Sequence, residues 1–404
     1  AAPPEPTPAS RARVLFLRVA FPDQASTRPW SDFQNPSHSG LIDRMVEYYD
    51  EASSRRFHID AIVGKSVYTL PRRRAEYVGK TGSMIQDALD RALAPGPDSL
   101  RERIAGTRPD VAVVFFPGPG AESDIQKTGA PNPWSEAISG QAFRTLAGVE
   151  INRGMVVAEA PYPPLHNFGV LCHEFGHLLG LPELYAPNKP HEGIGVWGLM
   201  GQGTWVGLGD APPHLCAWSK LQLGWVDPIL VDSTRRVTLP SVEQSAQVVK
   251  IWAKGPETPN EYFLVENRQK IGSDRRIPGA GLLIWHVDES QTSFRRSQDD
   301  VNHKRVDLLT ADSWPSHLDL GHANGGNRGD AGDPWSDRAE GPGPDTRPST
   351  APYDGSRGRF AIRNVSPSAE VMTFDVVFDP KPGSGPSSAA PASGVEAGGG
   401  TRAR

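Results

Sequence analysis

The chain has 404 residues, 37% of them apolar and 22% charged, which is the composition of a soluble globular protein long enough to bury a sizeable core. Forty-two Lys and Arg against 47 Asp and Glu leave a net charge of -5, so no basic field exists to drive binding to nucleic acid or anionic lipid. No run approaches the roughly 18 apolar residues of a membrane-spanning helix, which excludes membrane insertion.

The chain opens with a Pro- and Ala-rich leader, residues 1–12, that lacks hydrophobic periodicity and is expected to be disordered. It begins without methionine, as an exported chain does once its signal peptide is removed. The continuous apolar run "RVLFLRVAFPD", Arg13 to Asp23, predicts a buried strand. Leu41, Met45, Tyr48 and Tyr49 then recur at helical spacing. "FHIDAIVGKSVYTL" returns to strand, "SMIQDALDRALA" to helix, and "PDVAVVFFPGPG" to a buried strand closed by a turn. Strands alternating with helices predict an α/β (α+β) first part.

The next helix, expected from Leu165 to Leu179, contains "VLCHEFGHLLGLPELY". Residues four apart on an α-helix lie one above the other, so His173 and His177 present their imidazoles to one point in space and supply two zinc ligands. Glu174 is rotated by about 100° from His173, which is too far round to ligate but close enough to reach a water on the metal and act as general base. Gly180 permits a sharp turn, after which Glu183 can swing back as third ligand; His191 and Glu192 in the following loop are the competing candidates. An accidental HExxH in such a chain has a chance on the order of 2 in 100, and the added glycine and acid lower it further. Met200, in the Gly-rich "GVWGLMGQGTW", is placed to form a hydrophobic floor below such a site.

After Pro228 the runs "RRVTLP", "QVVKIWA", "EYFLVEN", "GLLIWHV" and "VMTFDVVF" predict a β-rich segment. Residues 291–358 between them are poor in apolar side chains and predict a long loop system or partial disorder. The Gly- and Ser-rich residues 381–404 read as a flexible tail.

These strings together resemble the immune inhibitor A family of secreted zinc metallopeptidases, the M6 peptidases. The resemblance runs from about Arg13 to Asp379 and rests on "RVLFLRVAFPD", "CHEFGHLLGLPELY", "GVWGLMGQGTW", "PPHLCAWSKLQLGW", "EYFLVENRQKIGSDRRIPGAGLLIWHVDE" and "GDAGDPW". It implies His173, His177 and Glu183 as Zn²⁺ ligands, Glu174 as general base and Met200 as the Met-turn residue. Relatives usually carry aspartate where this chain has Glu183.

The resulting expectation is a secreted, monomeric zinc endopeptidase that hydrolyses proteins or peptides through a metal-activated water. Its fold is expected to be a zincin/metzincin-like catalytic domain at 13–228 with a β-rich segment at 229–380 packed on it. The alternatives are an inactive zincin-fold binding module and a zinc hydrolase with a non-protein substrate. His214 and Tyr185 are candidates for assisting the substrate oxyanion. Cys172 and Cys216 can be bridged or free. Asp307, Asp312, Asn324, Asn327, Asp330 and Asp333 are candidates for a Ca²⁺ site. "VENR" and "WHVDE" are expected to be buried charge pairs joining the two parts.

Overall fold

The computed structural model describes residues 10–379, apart from 97–98, 125–128, 130, 161–163, 188–189 and 322–323. The expected leader and tail lie outside the described residues, save for residues 10–12.

The strands and helices expected in the first half all form, joined by one helix and two strands that were not expected. β1 (Arg11–Ala20), α1 (Leu41–Ala52), β2 (His58–Thr69), α2 (Thr81–Leu93), α3 (Arg101–Thr107) and β3 (Val111–Phe116) are followed by β4 (Glu136–Arg144), β5 (Glu150–Ala158) and α4 (Phe168–Leu178). The sheet order is β2-β1-β3-β5-β4. All pairings are parallel except β4 with β5, which is antiparallel and leaves β4 as the edge. β3 is buried along its whole length, whereas β4 is largely exposed. This contrast follows from "VAVVFF" against the polar, Gly-interrupted "EAISGQAFR": a central strand is covered on both faces, an edge strand is not.

α4 starts three residues later than the sequence predicted. Asn167 stands outside the helix as its N-terminal cap, and its side-chain amide donates to the carbonyl of Ala158, tying the helix start to the end of β5. The helix stops where expected, with Gly180 at φ +97°, in the left-handed region open to glycine.

The chain then runs through irregular turns to α5 (Ala217–Gln222), and β6 (Asp227–Leu230) opens the β-rich part. The expected runs form β7 (Arg235–Pro240), β8 (Gln247–Trp252), β9 (Glu261–Arg268) and β10 (Gly281–Asp288), followed by β11 (Val306–Leu308), β12 (Arg338–Glu340), β13 (Phe360–Val365) and β14 (Val371–Phe378). They make two further sheets, ordered β11-β10-β9-β8-β6 and β12-β13-β14-β7. Residues 291–358 are mostly irregular yet anchored: the Trp335 indole donates to Leu309 O at 2.7 Å, and Trp335 N and Leu282 N each donate to the other's carbonyl at 2.9 Å.

One hydrophobic core runs from β1, α1 and α4 into β9 and β10, including Phe16, Tyr49, Phe175, Trp218, Leu264 and Trp285. The two parts therefore share apolar interior. Beside it lies a buried charge cluster. Arg268 Nε donates to Asp274 at 3.0 Å and lies 3.5 Å from Glu243, while its Nη1 lies 3.4 Å from Glu266. Asp274 in turn accepts from His214 N at 2.9 Å. The charge pairs of the "VENR" string thus lie within the β-rich part, and it meets the first part through backbone groups instead: Arg268 Nη1 donates to Trp197 O at 3.2 Å, and Glu266 accepts from Ala217 N at 3.3 Å. In "WHVDE", Glu289 pairs with Arg305 of its own part and accepts from Trp218 Nε1 of the first part at 2.8 Å, a hydrogen bond to a neutral indole.

Candidate active site

α4 is largely buried, with Val170, Leu171, Phe175 and Leu178 in the core, so its polar positions are held rigidly against the rest of the fold. Gly176 fits closely on the segment below: a Cβ there would lie 2.5 Å from Met200 Sδ. Met200 is buried and its carbonyl accepts from Leu184 N at 2.9 Å. It therefore forms the floor beneath the turn of helix that carries the two histidines.

His173 and His177 stand together, their ring centroids 4.7 Å apart. His173 Nδ1 lies 3.0 Å from Leu199 O, and His177 Nδ1 lies 2.8 Å from Leu181 O. A carbonyl only accepts, so in both rings Nδ1 carries a proton, which leaves Nε2 as the atom free to offer a lone pair to a metal. The Thr204 hydroxyl, 2.9 Å from His173 Nδ1, donates to the same Leu199 carbonyl at 3.1 Å and steadies that ring. The two Nε2 atoms point at one carboxylate, with His173 Nε2 3.3 Å from Glu183 Oε2 and His177 Nε2 3.2 Å from Glu183 Oε1.

The donor set fits a divalent transition metal. His173, His177 and Glu183 bring one ligand atom each to within 4.8 Å of one another. Both imidazoles are oriented by carbonyls behind them, the usual support for a metal-binding histidine. Glu183 Oε2 is buried without a hydrogen-bond partner, an oxygen with capacity left for a cation. Burial works against the Glu183 charge, yet the imidazoles hold its carboxyl well below the ordinary carboxylate range. The competing third ligands lie elsewhere: His191 Nε2 is 3.5 Å from Asp299 O, and Glu192 is 3.5 Å from Arg328.

Glu174 lies beside this set without joining it. Its Oε2 accepts from the backbone N–H of Ala137 on β4 at 2.8 Å. Burial, opposed by His177 and reinforced by Glu183, pushes its carboxyl up to about 8. His173, His177, Glu174, Glu183 and Tyr185 line a cleft of 560 Å³ whose other walls include Trp134, Glu136, Trp205 and Phe294.

One sequence expectation needs correction. His214 is fully buried away from this cleft, with Nε2 2.9 Å from Glu51 and Nδ1 2.8 Å from Lys220 Nζ, so it belongs to the charge cluster. Tyr185, the other candidate, does line the cleft, its ring 6.2 Å from that of His173. Burial and the neighbouring Glu183 push the Tyr185 hydroxyl well up, so it stays a proton donor. Cys172 and Cys216 are free thiols, both buried, and burial raises both.

The calcium expectation finds no support. Lys304 sits between Asp307 and Asp319. Asp333 accepts from Trp197 Nε1 at 2.8 Å and from Asp330 N at 2.9 Å, while Asn327 donates to Asp330 at 2.7 Å. The expected oxygens are divided among protein donors. Only Asp312 and Asp330 converge with each other, and the third member of their group is His317, a nitrogen donor where calcium prefers oxygen.

The fold is α/β with a β-rich C-terminal part, and one helix brings His173, Glu174 and His177 beside Glu183 in a cleft. Residues 147–226 match the family model described as the immune inhibitor A peptidase M6 catalytic domain, which bears out the resemblance read from the sequence. Pre-pro-metalloprotease PrtV of Vibrio cholerae serotype O1 is 29% identical over 122 residues, covering 28% of this chain and 13% of that protein. Immune inhibitor A of Bacillus thuringiensis subsp. alesti is 27% identical over 216 residues, covering 44% of this chain and 31% of the relative. The chain thus spans less than a third of the length of these curated relatives. A crystal structure of catalytically inactive OgpA from Akkermansia muciniphila, in complex with an O-glycopeptide, is similar only loosely: TM-score 0.32 and 12% identity, covering 69% of this chain and 80% of that one. Among the described residues no helix is long and apolar enough to cross a membrane.

Proposed function

We propose that the protein is a zinc-dependent endopeptidase acting on proteins or peptides. The reading is carried by one observation: two imidazoles with anchored Nδ1 atoms and a buried, underbonded carboxylate converge beside Glu174 in an open cleft.

His173 Nε2, His177 Nε2 and a Glu183 oxygen would hold the ion, and a zinc ion so held supplies Lewis acidity toward a peptide carbonyl and toward water. The chain's own residues provide the rest. Glu174 moves the proton, from the attacking water to the departing amine. Its Oε2 is engaged by Ala137 N–H, so Oε1 is the oxygen that takes and returns that proton. The cost of burying the carboxylate favours its protonated form, which lends Glu174 the basicity a proton acceptor needs near neutral pH. Tyr185 is placed to donate to the carbonyl oxygen as negative charge builds there. Leu199 and Leu181 keep the two rings in a single orientation through the cycle.

Export and a monomeric state complete the proposal. Export is supported by the Vibrio relative, whose name records pre- and pro-segments.

The test is digestion of casein by purified protein, before and after a strong chelator and again after zinc is returned, with bound metal measured at each stage. Cleavage that is lost with the metal and restored with zinc supports the reading. Cleavage that persists in metal-free protein removes it.

A further inference from the structure

Exposed apolar side chains scattered singly need no explanation, whereas ones gathered at a cleft mark a ligand-binding groove. Among the described residues three large aromatic side chains are exposed, Trp134, Phe294 and Trp314, and two of these three line the cleft described above. Phe294 is 47% exposed and Trp134 57%. Both are therefore half in solvent at the mouth of the site while Trp205 lines the same cleft.

Phe294 comes from the β-rich part, in the loop between β10 and β11, and it is fastened to the metal-binding residues. Its ring centroid is 5.7 Å from that of His177, and its carbonyl accepts from Glu183 N at 3.3 Å. The next residue, Arg295, reaches 4.0 Å from Glu136 on the edge strand β4. The segment carrying Trp134 leads directly into that strand. The loop and the segment leading into the edge strand thus meet at this cleft, and each adds one exposed aromatic side chain to its lining.

We propose that Phe294, with Trp134 in the lining of the same cleft, is the specificity-determining residue of this site and selects substrates carrying a bulky apolar or aromatic side chain beside the scissile bond. The inference rests on the peptidase reading. An apolar side chain that settles on a half-solvated ring removes apolar surface on both partners from water, and a small or charged side chain gains little there. The proposal also makes the β-rich part a component of the active cleft, since the wall next to His177 comes from it.

The test compares kcat/KM for a peptide series in which the residues flanking one bond are Phe, Leu, Ala or Lys in turn. It is run on the full-length zinc-loaded protein and on the variants Phe294→Ala, Phe294→Leu and Trp134→Ala. Wild type is expected to favour Phe or Leu over Ala by about tenfold or more at one flanking position. Phe294→Ala is expected to collapse that ratio toward one, Phe294→Leu to restore most of it, and Trp134→Ala to reduce it independently. Both residues are half-exposed, so these variants are expected to fold, and unchanged zinc content checks this. A wild type that cleaves peptides without side-chain preference, or variants that keep its ratio, overturns the proposal and leaves the peptidase reading standing. A zinc-loaded wild type that cleaves none of the series overturns both.

Discussion

The backbone N–H of Ala137 donates to Glu174 Oε2 at 2.8 Å, joining the edge strand β4 to the helix that carries both histidines. An edge strand is where an extended peptide pairs by main-chain hydrogen bonds. The same strand that would align a substrate therefore also orients the carboxylate expected to act on it. Any displacement of β4 moves both.

Removing the third ligand separates binding from catalysis. Glu183→Ala leaves two imidazoles and is expected to lose its zinc to a chelator that wild type resists, with activity falling in parallel. Glu183→Asp keeps a carboxylate at the position where relatives usually carry one, and is expected to hold zinc better than the alanine variant. Metal analysis after graded chelation checks this; stoichiometric zinc in chelator-treated Glu183→Ala would move the third ligand elsewhere.

Met200 supports the site by packing and not by ligation. Its sulfur fills the space in front of Gly176, so Met200→Ala opens a cavity under α4 at an expected cost of about 2 to 5 kcal/mol. Gly176→Ala is expected to destabilise by overpacking, and less so when Met200 is also alanine. Thermal unfolding of the two single variants and the double variant gives the coupling; strict additivity would show that the two residues do not meet.

The buried charge cluster predicts a stability loss toward alkaline pH. One guanidinium, Arg268, faces Asp274, Glu266 and Glu243. Burial, with the Asp274 charge close by, raises the Glu243 carboxyl despite the neighbouring Arg268. A raised folded-state value means stability that is full below the ordinary carboxylate range and is lost as pH rises through the folded value, which lies near 8. Glu243→Gln is expected to flatten this loss between about pH 5 and 8. Urea unfolding of both proteins across that window checks it; parallel curves would mean that Glu243 ionises freely.

How much of this was legible in the sequence depends on where each signal resides. The histidines, Glu174 and the terminal glycine lie on one helix, whose periodicity converts spacing directly into geometry. The buried strands announced themselves by continuous apolar runs, but β4 did not, because an edge strand keeps polar residues and a glycine. His214 was misplaced for a different reason: closeness in sequence to the Met200 turn says nothing about which way a side chain points, and it turned inward to Glu51 and Lys220. The Ala137 contact is made by a backbone amide and leaves no mark in residue type. Phe294 lies in a loop more than 100 residues beyond His177, and only the shared core of the two parts brings it to the cleft.

The central claim is that Glu174 moves the proton while His173, His177 and Glu183 hold the metal. Glu174→Gln preserves size and an oxygen able to accept from Ala137 N–H, so it tests the proton and little else. The decisive measurement is kcat on one peptide, with zinc content determined on the same samples of wild type and Glu174→Gln. The account predicts one zinc per chain in both and a fall in kcat of about 100-fold or more in the variant. A variant that cleaves like wild type, or a wild type that holds its zinc and cleaves nothing, would contradict it.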